Sequence, residues 1–207
     1  VIMGQVTGAE HAALRRVTIT PAGDETYLFD MNDVAMELMD VILEGTPERD
    51  RTGILVDGAR PAGSVIDRCS FTSLAVGIDI ADAIPTIRRC TFGDIPADFG
   101  DPPPPGAGII IRDNTAKHLD IAWKSIGDDT SPEAGWNDFL PTVEGFAVIN
   151  ERGEAIPMQN NYWGVVDAEQ VMMRVDGPAV QEPFLVRSSA ILASSVFCTV
   201  WDRQDQK

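Results

Sequence analysis

The 207 residues predict an all-β chain folded as a right-handed parallel β-helix, a solenoid of about six coils with a short C-terminal helix and a capping strand. Three observations carry that expectation. First, Gly63-Ser-Val-Ile-Asp-Arg-Cys69-Ser-Phe71 returns 21 residues later as Pro85-Thr-Ile-Arg-Arg-Cys90-Thr-Phe92. A short period of this kind marks repeats that bury their apolar faces only by stacking on one another. Second, a glycine-led strand recurs: Gly53-Ile-Leu-Val-Asp-Gly, Gly77-Ile-Asp-Ile-Ala-Asp, Gly108-Ile-Ile-Ile-Arg-Asp and Gly145-Phe-Ala-Val-Ile-Asn. Third, no long stretch of 3.6-residue periodicity separates these strands, so crossover helices of the kind α/β sheets require are not available.

In order, residues 1–16 read as an incomplete first coil, residues 17–164 as the coils, and residues 165–207 as cap and tail, all in one domain. Val17-Thr-Ile19, Tyr27-Leu-Phe29-Asp30 and Met36-Glu-Leu-Met-Asp-Val41-Ile-Leu43 are apolar, β-prone runs closed by turn residues. The Cys-x-Phe series is expected to continue through Ile121-Ala-Trp123 and to end at Asn161-Tyr-Trp163-Gly164. Two polar stretches, Asp94–Ala107 with Pro102–Pro105 and Gly127–Pro141, read as loops bulging from the coil. Asp167 is the N-cap candidate of a short helix running toward Val175, and Gly177-Pro178 follows it. Ala190–Val200 is a long apolar, β-prone stretch suited to covering the open end of a solenoid.

A formal charge of −16 leaves no clustered lysine and arginine for a nucleic-acid phosphate backbone or an anionic membrane surface. No apolar run is long enough to insert into a membrane as a helix. The start, Val1-Ile-Met-Gly, lacks the basic-then-apolar pattern of a signal peptide, which leaves a removed leader or a longer parent chain. Cys69, Cys90 and Cys198 have neither metal-ligand spacing nor a disulfide framework; Cys69 and Cys90 are expected to stack inside as small hydrophobes.

The repeated Ile-x-x-Cys-x-Phe and Gly-Ile-x-Ile strands, with the closing Asn160-Asn-Tyr-Trp-Gly164 and a later Pro183-Phe-Leu, resemble the right-handed parallel β-helix proteins of the pectate-lyase-like superfamily. The resemblance spans roughly residues 12–187 and specifies fold far better than function. It implies an extracellular or cell-surface location and, for the enzymes of the fold, cleavage of acidic polysaccharides.

Of the hydrolase motifs that the resemblance brings with it, only Gly127-Asp128-Asp129 is present. Lyases of this kind use Ca²⁺ carboxylates and an arginine or lysine base. Asp57, Asp82, Asp113 and Asn150 end the glycine-led strands; stacked, they would hold Ca²⁺ or simply cap turns with their side chains. Arg112, Asp113, Lys117 and Asp82, with Asp79, are the candidates for catalysis in a groove beside those strands. His11 and His118 have no nucleophile partner, and no phosphate loop or zinc motif appears. Trp136 either stacks on a sugar or pins its own loop. Arg88-Arg89 reads as a salt-bridged face.

Without an enzyme's full motif set, the expected function is a non-catalytic surface module, either a structural assembly subunit or an adhesive glycan-contacting scaffold. It would need no cofactor and would partner itself or a polysaccharide, with edge addition through Ala190, Leu192, Val196 and Val200. The alternative is a divergent polysaccharide lyase or glycoside hydrolase.

Overall fold

A computed structural model describes residues 12–32, 35–46, 51–57, 64–81, 83, 85–93, 107–112, 135–140 and 146–188. The first coil consists of β1 (Ala12–Arg15), β2 (Thr18–Ile19) and β3 (Tyr27–Asn32). The second repeats it with β4 (Met36–Met39), β5 (Ile42–Glu44) and β6 (Thr52–Asp57), and the third with β7 (Val65–Asp67), β8 (Ser70–Thr72) and β9 (Val76–Ala81). The next holds β10 (Thr86–Arg88), β11 (Thr91–Phe92) and β12 (Ala107–Ile111). Then come β13 (Asp138–Phe139), β14 (Phe146–Asn150), β15 (Ile156–Pro157), the helix α1 (Ala168–Met172), β16 (Val175–Asp176) and β17 (Ala179–Val180).

Corresponding strands stack in parallel into sheets of order β1-β4-β7-β10, β13-β11-β8-β5-β2 and β16-β14-β12-β9-β6-β3, with β15 on β17. The result is a parallel β-solenoid of about five turns rather than six.

The corner between the first two sheets explains why such short strands hold register. Arg16, Asp40, Arg68, Arg89, Trp136 and Asn160 sit there in the left-handed region, with φ between 54° and 60°. Non-glycine residues reach that region only at a cost, which the surrounding structure must offset. Here each one donates its backbone N–H to the next coil: Asp40 to Asp67 O at 3.1 Å, Arg68 to Arg88 O at 3.1 Å, Arg89 to Gly135 O at 3.0 Å and Trp136 to Asn160 O at 2.7 Å. This corner splits the run Met36–Leu43 into β4 and β5 at Asp40.

Inside, Phe71, Phe92, Phe139 and Trp163 form one stack, with ring centroids 4.7, 4.9 and 5.0 Å apart and interplanar angles of 5°, 10° and 13°. That interval is the spacing of neighbouring strands, about 4.8 Å, so the rings follow the backbone repeat. Gly53, Gly77 and Gly108 leave room for it. A Cβ on Gly77 would lie 2.5 Å from Gly108 O and 2.8 Å from the Phe92 ring.

Register departs from expectation in two places. Ile109 pairs with Val148, so Ala147 rather than Gly145 follows Gly108 in the column. Gly135–Leu140 is also coil rather than loop, because Asp138 pairs with Thr91 and Phe139 with Phe92. The Cys-x-Phe series therefore runs through Asn137-Asp138-Phe139; Ile121-Ala-Trp123 lies outside the described residues. The stack also continues beyond Gly164, where β16 joins β14. Asp167 caps α1 as expected, its carboxylate accepting from Gln170 N at 3.1 Å. Ala190–Val200 lies outside the described residues.

Candidate functional site

The first candidate is the groove beside the glycine-led strands. Asp82, Asp113 and Lys117, like Asp128, Asp129, His11 and His118, lie outside the described residues. Of the acidic column, only Asp57 and Asn150 are among the described residues. Asp57 pairs with Ala81, Arg112 follows Ile111 in the same register, and Asn150 pairs with Ile111. Asp57 is the fourth residue after its glycine, whereas Asp82 and Asp113 are the fifth after theirs. Asn150 is buried and committed to the backbone, donating to Glu154 O at 2.9 Å and Pro178 O at 2.7 Å. Among the described residues, no group of three metal-ligating side chains comes together.

Asp79 and Arg112 do meet. The guanidinium donates to both Asp79 oxygens at 2.9 Å and to Glu151 Oε1 at 3.0 Å. Asp79 foremost, with Glu151 adding to it, raises the Arg112 pKa above its ordinary value. A base must give up its proton, and these partners hold this one in place, so the geometry suits a strut between coils better than a proton acceptor.

The second candidate is the left-handed corner. Asp67, 1% exposed, accepts from Arg89 Nε at 2.8 Å and pairs with Arg88 at 3.2 Å and Arg68 at 3.4 Å. Arg68 also clamps Asp40, at 2.6 and 3.1 Å. That hydrogen bond first, then the charges of Arg68, Arg16 and Arg89, lowers the Asp40 pKa below the usual carboxylate range. Arg68, Arg88 and Arg89 thus converge on the buried Asp67, with Asp40 held beside them by Arg68. Trp136 continues the same line, half-buried and held by its backbone at the corner. The adjacent arginines are a salt-bridged face, as read, but one built around a buried aspartate.

Behind this corner the interior changes chemistry. Val41, Cys69 and Cys90 give way to Asn137 and Asn161. Asn137 Oδ1 accepts from Cys90 N at 3.0 Å, and its Nδ2 donates to Ile87 O at 3.1 Å and Asn161 Oδ1 at 3.0 Å. Asn161 Nδ2 donates onward to Met158 O at 2.8 Å. Buried amides of this kind are admissible because every group finds a partner.

The third candidate is the pair of solenoid ends. At the first coil Ala12, Leu14, Ile19 and Phe29 point at the core yet are only partly buried, and so are Val175, Ala179 and Phe184 at the last. Among the described residues, β1, β2 and β3 have a strand on one side only. At the other end Val166, Met172, Met173, Val180 and Val186 are exposed, Met173 by 67%. These are five of the seven large apolar side chains that are exposed among the described residues. Ala190, Leu192, Val196 and Val200 fall outside them. The apolar run Ala190–Val200 is the sequence's signal for this end; Met172, the last residue of α1, and its C-cap Met173 give none.

No family model, no curated protein and no solved structure matches this chain.

Proposed function

We propose that this β-solenoid is a non-catalytic structural module of an extracellular or cell-surface assembly, associating end to end with further copies of itself. The observation that carries the reading is the concentration of exposed apolar side chains, Val166, Met172, Met173, Val180 and Val186, on the last coil. Apolar patches of this kind are contact surfaces. At the opposite end, the edges of β1, β2 and β3, each paired on one side among the described residues, carry backbone donors and acceptors at the strand spacing that a following coil uses. An end-to-end contact joins two different surfaces, so it propagates instead of closing.

Sedimentation and electron microscopy at micromolar concentration, with and without Ca²⁺, test this. The expected result is linear oligomers that shorten on Met172→Ser with Met173→Ser. Monomers at every concentration overturn the proposal.

A second reading, contact with an acidic glycan, is favoured by the line of Arg16, Arg68, Arg89 and Trp136 along the left-handed corner. Arg89→Ala with Trp136→Ala is expected to abolish retention on immobilised polyuronate. The lyase or hydrolase alternative requires release of reducing or unsaturated ends that Arg112→Ala removes.

A further inference from the structure

Cys69 and Cys90 occupy the same place on consecutive coils. Ser70 pairs with Thr91, and Thr91 N–H donates to Cys69 O at 2.9 Å, so the two cysteines are direct neighbours across the ladder. Both are buried, 1% and 0% exposed, and both are reduced. Each directly follows a left-handed corner residue, Arg68 or Arg89, whose backbone is fixed to the next coil.

We propose that Cys69 and Cys90 are a cross-coil disulfide site that closes when the protein meets a disulfide oxidant such as oxidised glutathione. Neighbouring strands lie about 4.8 Å apart, inside the Cα separation of about 4.4–6.8 Å that a disulfide spans. From the strand spacing of about 4.8 Å the two Cβ atoms must draw together by about 0.3–1.3 Å to reach the separation of about 3.5–4.5 Å that a disulfide requires.

The two thiols are already unequal. A hydrogen bond from the Cys90 thiol lowers the Cys69 pKa, whereas burial raises that of Cys90. Once the coil opens, one cysteine thiolate displaces one glutathione thiolate and leaves a mixed disulfide. The other cysteine, after losing its proton to solvent, attacks the protein sulfur of that mixed disulfide and expels the second glutathione. Two protein thiols are oxidised to one disulfide and one glutathione disulfide is reduced to two thiols. Because both sulfurs are buried, the exchange proceeds through local opening of the coil, or during folding before the coils close.

The experiment uses the full chain with Cys198→Ser, leaving only the two stacked thiols. The protein is incubated with oxidised glutathione in urea below the unfolding transition, returned to buffer, then denatured, alkylated and weighed. The expected product is a monomer about 2 Da lighter than the reduced chain, with no glutathione adduct and with Cys69 and Cys90 in one linked peptide. Its thermal midpoint is expected to rise by about 5 °C or more over the reduced form. Cys69→Val, which puts at this position the valine that Val41 contributes one coil away, is expected to lose both the linkage and the shift. Two alkylated thiols, a persistent glutathione adduct or a linkage between chains overturns the proposal. The mass readout on Cys198→Ser stands even where the valine variant fails to fold.

Discussion

The coils carrying β5, β8 and β11 and the coils at either end follow the same strand plan, yet they are sealed differently. Leu43, Phe71 and Phe92 are at most 1% exposed, while Ile19 below them and Phe184 beyond them remain partly open. Local sequence does not separate the two sets, because Thr18-Ile19 and Ile42-Leu43 are equally β-prone. What separates them is neighbours: a coil is complete only when another lies on each side. Burial in a solenoid is thus a property of position along the axis, and an end coil is unfinished wherever nothing covers it.

The largest effects are expected where the stack is closed. Phe92→Ala removes a ring held between Phe71 and Phe139 and should cost about 3–5 kcal/mol in denaturant unfolding, against about 1–2 kcal/mol for Ile19→Ala. Equal losses would erase the distinction between centre and end. Asp67→Ala should come next, at about 3 kcal/mol, because three arginines lose a buried counter-charge. A loss below half of that would reduce the corner to ordinary surface pairing.

Gly77→Ala should follow at about 1–3 kcal/mol, since the added methyl meets both a carbonyl and the Phe92 ring. Gly153→Ala, with nothing within 4 Å, should leave the midpoint unchanged.

The smallest effect belongs to the open first coil. Burial, and then the charge of Asp57, raises the Asp30 pKa from its ordinary 3.8. A carboxyl group with a raised native pKa contributes its stability below 3.8 and loses it as pH climbs through the native value. Asp30→Asn is therefore expected to raise the unfolding midpoint slightly at pH 7 and to match the parent chain at pH 3. A lower midpoint at pH 7 would mean that the carboxylate is better paired in the folded chain than in the unfolded one.

The sequence shows its architecture most clearly where coils follow one another without interruption. Cys69 and Cys90, Phe71 and Phe92, and Gly53, Gly77 and Gly108 all fall in true register. Legibility fails where a column changes its chemistry. Asn137 fills the place of Cys90 through side-chain hydrogen bonds, so the hydrophobic pattern that announces the other coils is missing. It fails again where strand ends are matched by residue type: Asp57 and Asp82 look equivalent, but the pairing partner of Asp57 is Ala81. Long-range ionic partners leave no periodic trace, so Asp67 passed unnoticed although Arg88-Arg89 beside it did not. Trp163 was legible as core and Trp136 was not legible as a corner, because a left-handed residue is set by backbone bonding and not by its side chain.

The left-handed corner also bears on how this molecule can be altered. Arg89 follows Arg68 by 21 residues, whereas Trp136 follows Arg89 by 47, yet Phe139 rests on Phe92 at 4.9 Å much as Phe92 rests on Phe71 at 4.7 Å. The axial pitch is the same whether 21 or 47 residues lie between one corner and the next. Such a body acts as a mounting rail. The number of residues between corners differs while the rail itself keeps its pitch.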